Sequence, residues 1–519
     1  MKITKFPKNP MPEKPQNSND LYKEKYKRMK NIILLSVLLL LSAGCSKDFL
    51  NTSSTSSYDE SFVFSTTEKA YAALNGIHRS MVMQYSSQQH YGGYPSLMIV
   101  VEMLGDDVVL TSNGNGYWIN EYQWKGHRNV TGVFPFFGYH LFYKLIANAN
   151  MLLENTDAAT GPESDKKMIK GQAYAYRAFS YFWLTQLYGE RYDAHSGNNA
   201  PAVSLVLSST AGKQPRSSVA VVYSQIIKDL DNSIALLESP DNTFVRPSKC
   251  HFTAAIVKGL RARVALTMQD WETAKTYASE AIRESGCSFM TAEQYRQGFN
   301  KASNPEWLWA FEQTPEQSTY YHGFMAVMSY NCNATQIRTN PKAISKTLYE
   351  QIPDSDIRKD LWDPTGKAYS LPAEFTRTPY MNRKFKVADA SSSVADICFM
   401  RLSELYLILA EAKANLNETD AADTLYSLVH SRDPQYRCSA SRGEDLLREI
   451  LLQRRIELWG EGFRFLDLKR LNQPLDRRLS NHKENLCKTL TVMPGDKSWQ
   501  FLIPQKELTA NDKVEQNPL

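Results

Sequence analysis

The stretch from Lys167 to Tyr188 restricts the fold more than any other. Its apolar residues, among them Tyr174, Ala178, Phe179, Phe182 and Leu187, lie on nearly every side of a 3.6-residue repeat. A helix without a polar face must be covered all round, so this one is predicted to be central and buried. Other segments supply cover. From Tyr139 to Glu154, Phe142, Leu145, Ile146, Ala149, Leu152 and Leu153 recur at helical spacing. Val219–Leu237 and Phe252–Met268 are two further predicted helices. Asp270–Trp271 restarts a helix over Glu272–Glu284, where Asp270 can cap the first free N–H groups. Ala274, Ala278 and Ala281 give that helix a face for close packing.

The pair formed by the last two helices, with Ala254, Ala255, Ala265, Trp271, Ala274 and Ala281, is similar to a tetratricopeptide repeat, without the strict consensus. Met400–Leu416, striped by Leu402, Leu405, Leu409, Ala412 and Leu416, forms a second such pair with Ala421–Val429. The expected fold class is all-α. Two loop-rich stretches, 84–136 and 289–397, interrupt the helical pairs, and in the second Glu306–Glu312 alternates like a strand. Loops on a rigid scaffold are where binding residues tend to be placed.

The N-terminus reads as a leader. Residues 1–28 are polar, with Pro7, Pro10, Pro12 and Pro15, and are taken as an extension from an upstream start. Met29–Lys30–Asn31 and the apolar run Ile32–Leu41 then form a signal too short to span a bilayer, which needs about 20 residues. Ser42–Ala43–Gly44–Cys45 resembles the lipobox of bacterial lipoproteins, with Ser42 where Leu is usual. That resemblance implies cleavage of 29–44, lipidation of Cys45, a Ser/Thr-rich tether over 45–57 and one domain over 58–519.

The leader also carries the charge. The chain holds 60 Lys+Arg and 55 Asp+Glu; residues 1–44 contain nine and three of these, leaving 51 against 52. A nucleic-acid partner calls for a basic domain, and none is expected here. Beyond Cys45, Cys250, Cys287, Cys332, Cys398, Cys438 and Cys487 form no Cys-x-x-Cys pair and no disulfide framework. Zinc sites need clustered Cys and His at short spacing, so no metal and no cofactor are expected.

Catalytic motifs are missing: there is no Gly-x-Ser-x-Gly, no Walker-type loop, no Gly-x-Gly-x-x-Gly and no His-Glu-x-x-His. Glu102, Asp106 and Asp107 are acids that a glycosidase argument would need. Capping, hydrogen bonding or solvation accounts for such acids more simply.

Near the C-terminus, Arg454-Arg455-x-Glu457-x-x-x-Glu461-Gly462-x-Arg464-x-x-Asp467-x-x-Arg470 closely resembles the signature of SusD/RagB outer-membrane lipoproteins. Other matches keep that family's order: Asp48–Phe49–Leu50, Arg177-Ala178-x-x-Tyr181-Phe182 with Leu187–Tyr188–Gly189, Arg401-x-x-Glu404-x-Tyr406 with Ala410–Glu411–Ala412, and Ile503–Pro504-x-x-Glu507–Leu508 with Gln516–Asn517–Pro518. The signature residues are read as structural. Gly460 suits a left-handed helix end, a second helix runs from Gly462 to before Pro474, and Glu461 with Arg464, three apart, is expected to pair and fix how the helices meet.

The resemblance implies a SusD-like fold with tetratricopeptide-like pairs as scaffold. It implies a non-catalytic surface lipoprotein of the outer membrane that binds oligosaccharides. The partner it implies is a SusC-like TonB-dependent β-barrel transporter. A peptide-binding RagB-like receptor is the alternative, and a lipid-anchored hydrolase a further one. Sugar rings present apolar C–H faces to aromatic rings and hydroxyls to amides. Asn115, Tyr117, Trp118 and Asn120 offer both in one loop, where Gly114 and Gly116 let the backbone turn. Trp118 is expected to be the exposed platform. Tyr320 and Tyr321 are a second candidate pair.

Overall fold

The apolar helix runs from Glu163 to Tyr188, and from Met168 onward nearly all of it is buried. The structure, a computed structural model, describes residues 60–85, 92–240, 242–317, 323–368 and 370–519. Cys45, the signal segment and the tether fall outside the described residues, as do Tyr320 and Tyr321. No helix among the described residues is long and apolar enough to cross a membrane.

The helical scaffold follows the predicted order. Helices α1 (Thr67–Ser80), α2 (Tyr94–Met103), α3 (Val133–Asn155), α4 (Glu163–Tyr188), α5 (Val219–Leu237), α6 (Ala254–Met268), α7 (Trp271–Glu284), α8 (Leu402–Asn415), α9 (Ala421–Val429), α10 (Gly443–Glu457) and α11 (Arg464–Arg470) make up most of it. Helix α4 packs between α3 and α5, α6 against α7, α7 against α8, and α8 against α9 and α10. Each helix therefore covers the apolar face of the next, as in stacked tetratricopeptide-like pairs. Side chains close the free N–H groups at several starts. Ser218 accepts from Val221, Thr253 from Ile256 and, as expected, Asp270 from Thr273. Gln269 adopts a left-handed conformation, which ends α6 and lets α7 begin two residues later.

Helix α2 was not legible as a helix. All ten of its residues are buried, so it shows no amphipathic period. It lies inside the stretch 84–136 that composition marks as loop. The strand β2 (Trp307–Phe311) pairs antiparallel with β6 (Ile397–Arg401), and both of its faces are buried, so its alternation does not separate core from solvent. Strands β1 (Val108–Leu110), β3 (Lys342–Ile344), β4 (Trp362–Asp363) and β5 (Met381–Asn382) form a small antiparallel sheet in the order β1-β3-β5-β4.

The signature residues form ion pairs inside the protein. Arg401 binds Glu461 side-on, Nε to Oε2 and Nη2 to Oε1, both at 2.8 Å. Lys384 reaches the same carboxylate at 2.5 Å. Arg401 also meets Glu306 and Glu457, Arg432 meets the same two acids, and Arg358 meets Glu457 and Asp356. Burial alone would raise the Glu461 carboxyl, but the Arg401 and Lys384 charges hold it below the usual range. A second chain links Arg454, Asp467, Arg470 and Glu411. These contacts support the structural reading of the motif and correct one detail. Glu461 does not pair with Arg464. Arg464 instead binds Asp106 at 2.6 Å and Asp107 at 3.2 Å, because the left-handed turns at Gly460 and Gly462 aim the two side chains apart. A Cβ at Gly462 would stand 2.9 Å from that of Met98, so the turn also brings the chain against α2.

Candidate functional site

The loop after β1 is tied down from below. Asn340 Oδ1 accepts the N–H of Thr111 at 2.9 Å and of Ser112 at 3.2 Å. Ser112 donates to Thr339 O at 2.6 Å and accepts from Gly114 N at 3.0 Å. Gln336 donates to the Asn115 side chain. Gly114 and Gly116 both have positive φ, as their place in the loop suggested. Further along, Trp124 donates to Leu104 O, and Gly132 donates to Asn129 O before α3 begins.

Between these anchors lies an open recess of about 620 Å³. Its rim carries the exposed side chains of Asn115, Asn120, Asn129, Thr131 and Lys125, with Tyr117 half-buried beside them. The structure thus brings Asn115, Tyr117, Trp118 and Asn120 to one recess.

Trp118 does not stand there as expected. Its side chain is only 4% exposed, and its indole stacks on Phe134 with ring centroids 5.1 Å apart and planes inclined by 24°. No open indole face is presented, because α3 delivers Phe134 beneath the loop. The pair forms the floor of the recess rather than a platform on it. Trp118 also has φ +70°, a left-handed conformation that costs an L-residue about 1–2 kcal/mol. Its packing holds it there.

Sequence reasoning missed Glu121, Lys125, Asn129 and Thr131. The run Asn129–Val130–Thr131–Gly132 repeats the amide-and-glycine composition of the first loop, which is the signal that was available. Glu121 is 5% exposed, and burial pushes its carboxyl up to about 7. Gly126 leaves it room, since a Cβ there would collide with its Oε1. Near neutral pH this carboxyl can donate as well as accept a hydrogen bond.

Glu121 is the only carboxyl among the described residues lining the recess. Hydrolysis of a glycosidic bond calls for two, on opposite sides. The acids noted in the sequence are committed elsewhere. Asp106 and Asp107 are bound by Arg464 and Arg455. Glu102 Oε1 accepts from Gly462 N and Phe463 N at 2.8 Å, at the start of α11.

Comparison with known proteins covers nearly all of the chain after the leader. The family model described as "Starch-binding associating with outer membrane" matches residues 48–266, and that of the SusD family matches 267–519. SusD-like protein P2 of Formosa agariphila is 25% identical over 485 residues, 85% of this chain and 90% of that protein. SusD-like protein P38 of the same organism is 24% identical, covering 87% and 93%. Among solved structures, a SusD-like carbohydrate binding protein from Bacteroides vulgatus is 28% identical with a TM-score of 0.75, covering 86% of this chain and 97% of that one. The surface glycan-binding protein A of Bacteroides fluxus shares the fold, with a TM-score of 0.70 at 16% identity and coverage of 88% and 99%.

Proposed function

Because the chain belongs to the SusD/RagB family, we propose that it is a non-catalytic carbohydrate-binding surface protein of the outer membrane. It takes up oligosaccharides at the recess between Asn115 and Phe134 and passes them to a SusC-like TonB-dependent transporter. Lipidated Cys45 anchors it.

The observation that carries this reading is the coincidence of family and recess. A relative described as a carbohydrate binding protein matches over 97% of its own length. The recess here has the polar groups a polyhydroxylated ligand needs, with amides on the rim, a half-buried tyrosine and one carboxyl near neutrality. Asn120 and Asn129 offer donors and acceptors, Lys125 a cation for an acidic sugar, and Tyr117 a ring for one sugar face. The lone carboxyl supports binding without hydrolysis. The buried signature acids support it too, since arginines keep Glu457, Glu461 and Asp467 below the usual carboxylate range against the opposing effect of burial.

A glycan array probed with the chain from Ser46 to Leu519 tests the ligand class. Retention of one family of oligosaccharides, recovered uncleaved, is expected. Binding to peptides with no glycan retained overturns the reading, and so does release of shortened sugars.

A further inference from the structure

His78 meets two side chains from far along the sequence, the adjacent Cys250 and His251, at the end of α1. His78 comes from the last turn of that helix, and Cys250 and His251 precede the Thr253 cap of α6. One ligand atom from each lies within 4.8 Å of those of the other two. Cys250 Sγ stands 3.5 Å from His251 Nδ1. Ser248 Oγ lies 2.9 Å from that sulfur and 3.4 Å from that nitrogen. The two imidazole centroids are 4.3 Å apart, with planes tilted by 60°.

Each ring is held from its far side by a tyrosine. Tyr176 Oη lies 2.6 Å from His78 Nδ1, and Tyr71 Oη lies 3.0 Å from His251 Nε2. His78 is 3% exposed, and its remaining nitrogen, Nε2, has no hydrogen-bond partner among the described residues. A buried polar atom left unpaired is unfavourable, so this nitrogen calls for an occupant. Arg246 does not supply one: its guanidinium donates to the carbonyls of Ser248, Lys249 and Leu308.

We propose that His78 Nε2, Cys250 Sγ and His251 Nδ1 form a binding site for a transition-metal ion of the zinc class. One sulfur and two neutral imidazoles are donors that zinc and its soft neighbours prefer over magnesium or calcium. A ligating imidazole commonly has its other nitrogen fixed by a hydrogen bond, and Tyr176 and Tyr71 stand where that bond is required. A tetrahedral site with bonds of about 2.0–2.3 Å has edges of about 3.3–3.8 Å. Cys250 and His251 already meet that spacing, and His78, within 4.8 Å of both, must close by at most about 1.5 Å. On binding, the hydrated ion sheds water, Cys250 forms the sulfur–metal bond and its thiol proton passes to solvent. Ser248 Oγ or a retained water completes the fourth position. Cys250 is half-buried, which gives the ion an entry path. The bound ion would join α1 to the segment entering α6. Sequence spacing hid the site, since only Cys250 and His251 are neighbours in the chain.

Cobalt(II) titration of the chain from Ser46 to Leu519 is the test. A thiolate-to-cobalt charge-transfer band at one equivalent is expected, absent in Cys250→Ser and needing at least tenfold more cobalt in His251→Ala. Zinc should raise the melting temperature of the wild type and leave that of Cys250→Ser unmoved, while magnesium affects neither. No band in the wild type, or a band that survives Cys250→Ser, overturns the proposal. Anomalous diffraction at the zinc edge from wild-type crystals reads the site without any variant. A peak among the three side chains is expected, and no peak there contradicts it.

Discussion

Arg401 and Glu461, sixty residues apart, form a side-on ion pair with both contacts at 2.8 Å, sealed inside the protein. Removing one partner leaves the other charged and buried, which costs about 3–5 kcal/mol. Glu461→Ala should therefore melt well below the wild type. The fraction that folds at low temperature should bind oligosaccharide with unchanged affinity. Calorimetric unfolding and a binding titration on the same sample check both parts. Unchanged melting with binding abolished would make Glu461 a ligand residue.

Trp118 is a packing residue held in a left-handed conformation. Truncating a buried tryptophan costs about 3–5 kcal/mol, so Trp118→Ala should lower the melting temperature. Glycine ordinarily destabilises relative to alanine. At φ +70° the order should reverse, with Trp118→Gly more stable than Trp118→Ala by about 1 kcal/mol. Alanine proving the more stable of the two would refute the strained geometry.

Glu121 gives the protein a pH signature. Its folded carboxyl is pushed up to about 7 by burial, above the ordinary 4.5, so the folded state favours the protonated form. Its stabilising contribution is complete below pH 4.5 and fades as pH rises through about 7, a loss on the order of 3 kcal/mol. Glu102 shifts in the same direction, so the wild-type profile alone does not isolate Glu121. Glu121→Gln does: its melting temperature relative to the wild type should be higher at pH 8 than at pH 5. An equal difference at both values would contradict the shift.

Cys45 carries the anchoring prediction. One acyl chain binds a membrane only marginally, while several hold firmly. Cys45→Ala should move the protein from the outer-membrane fraction to the soluble one in cells lacking the partner barrel. Retention in the membrane there would exclude lipid anchoring.

Most of the scaffold was legible in the sequence because amphipathic helices write their period into it. Val219–Leu237 and Ala421–Val429 follow that period to the residue. Helix α2 was not legible, since a ten-residue run buried on all sides is too short to be told from a buried strand, whereas α4 is long enough to read as a helix without a polar face. The signature's arginines and acids announced ion pairing, but not the partners. Glu461 finds Arg401 and Lys384, and Arg464 finds Asp106, through contacts no local spacing reveals. In the recess, composition located the loop and its amides. It did not show that α3 places Phe134 beneath Trp118. The cluster of His78, Cys250 and His251 was hidden for the same reason.

The recess between Asn115 and Phe134 is the proposed oligosaccharide site. Titration calorimetry of the wild type and of a Tyr117→Ala, Asn120→Ala double variant, with the oligosaccharide selected on the array, tests it most directly. Loss of an aromatic contact and a rim amide should weaken binding about 30-fold or more, with the melting temperature nearly unchanged. Wild-type affinity in the double variant would place the ligand elsewhere and contradict the account.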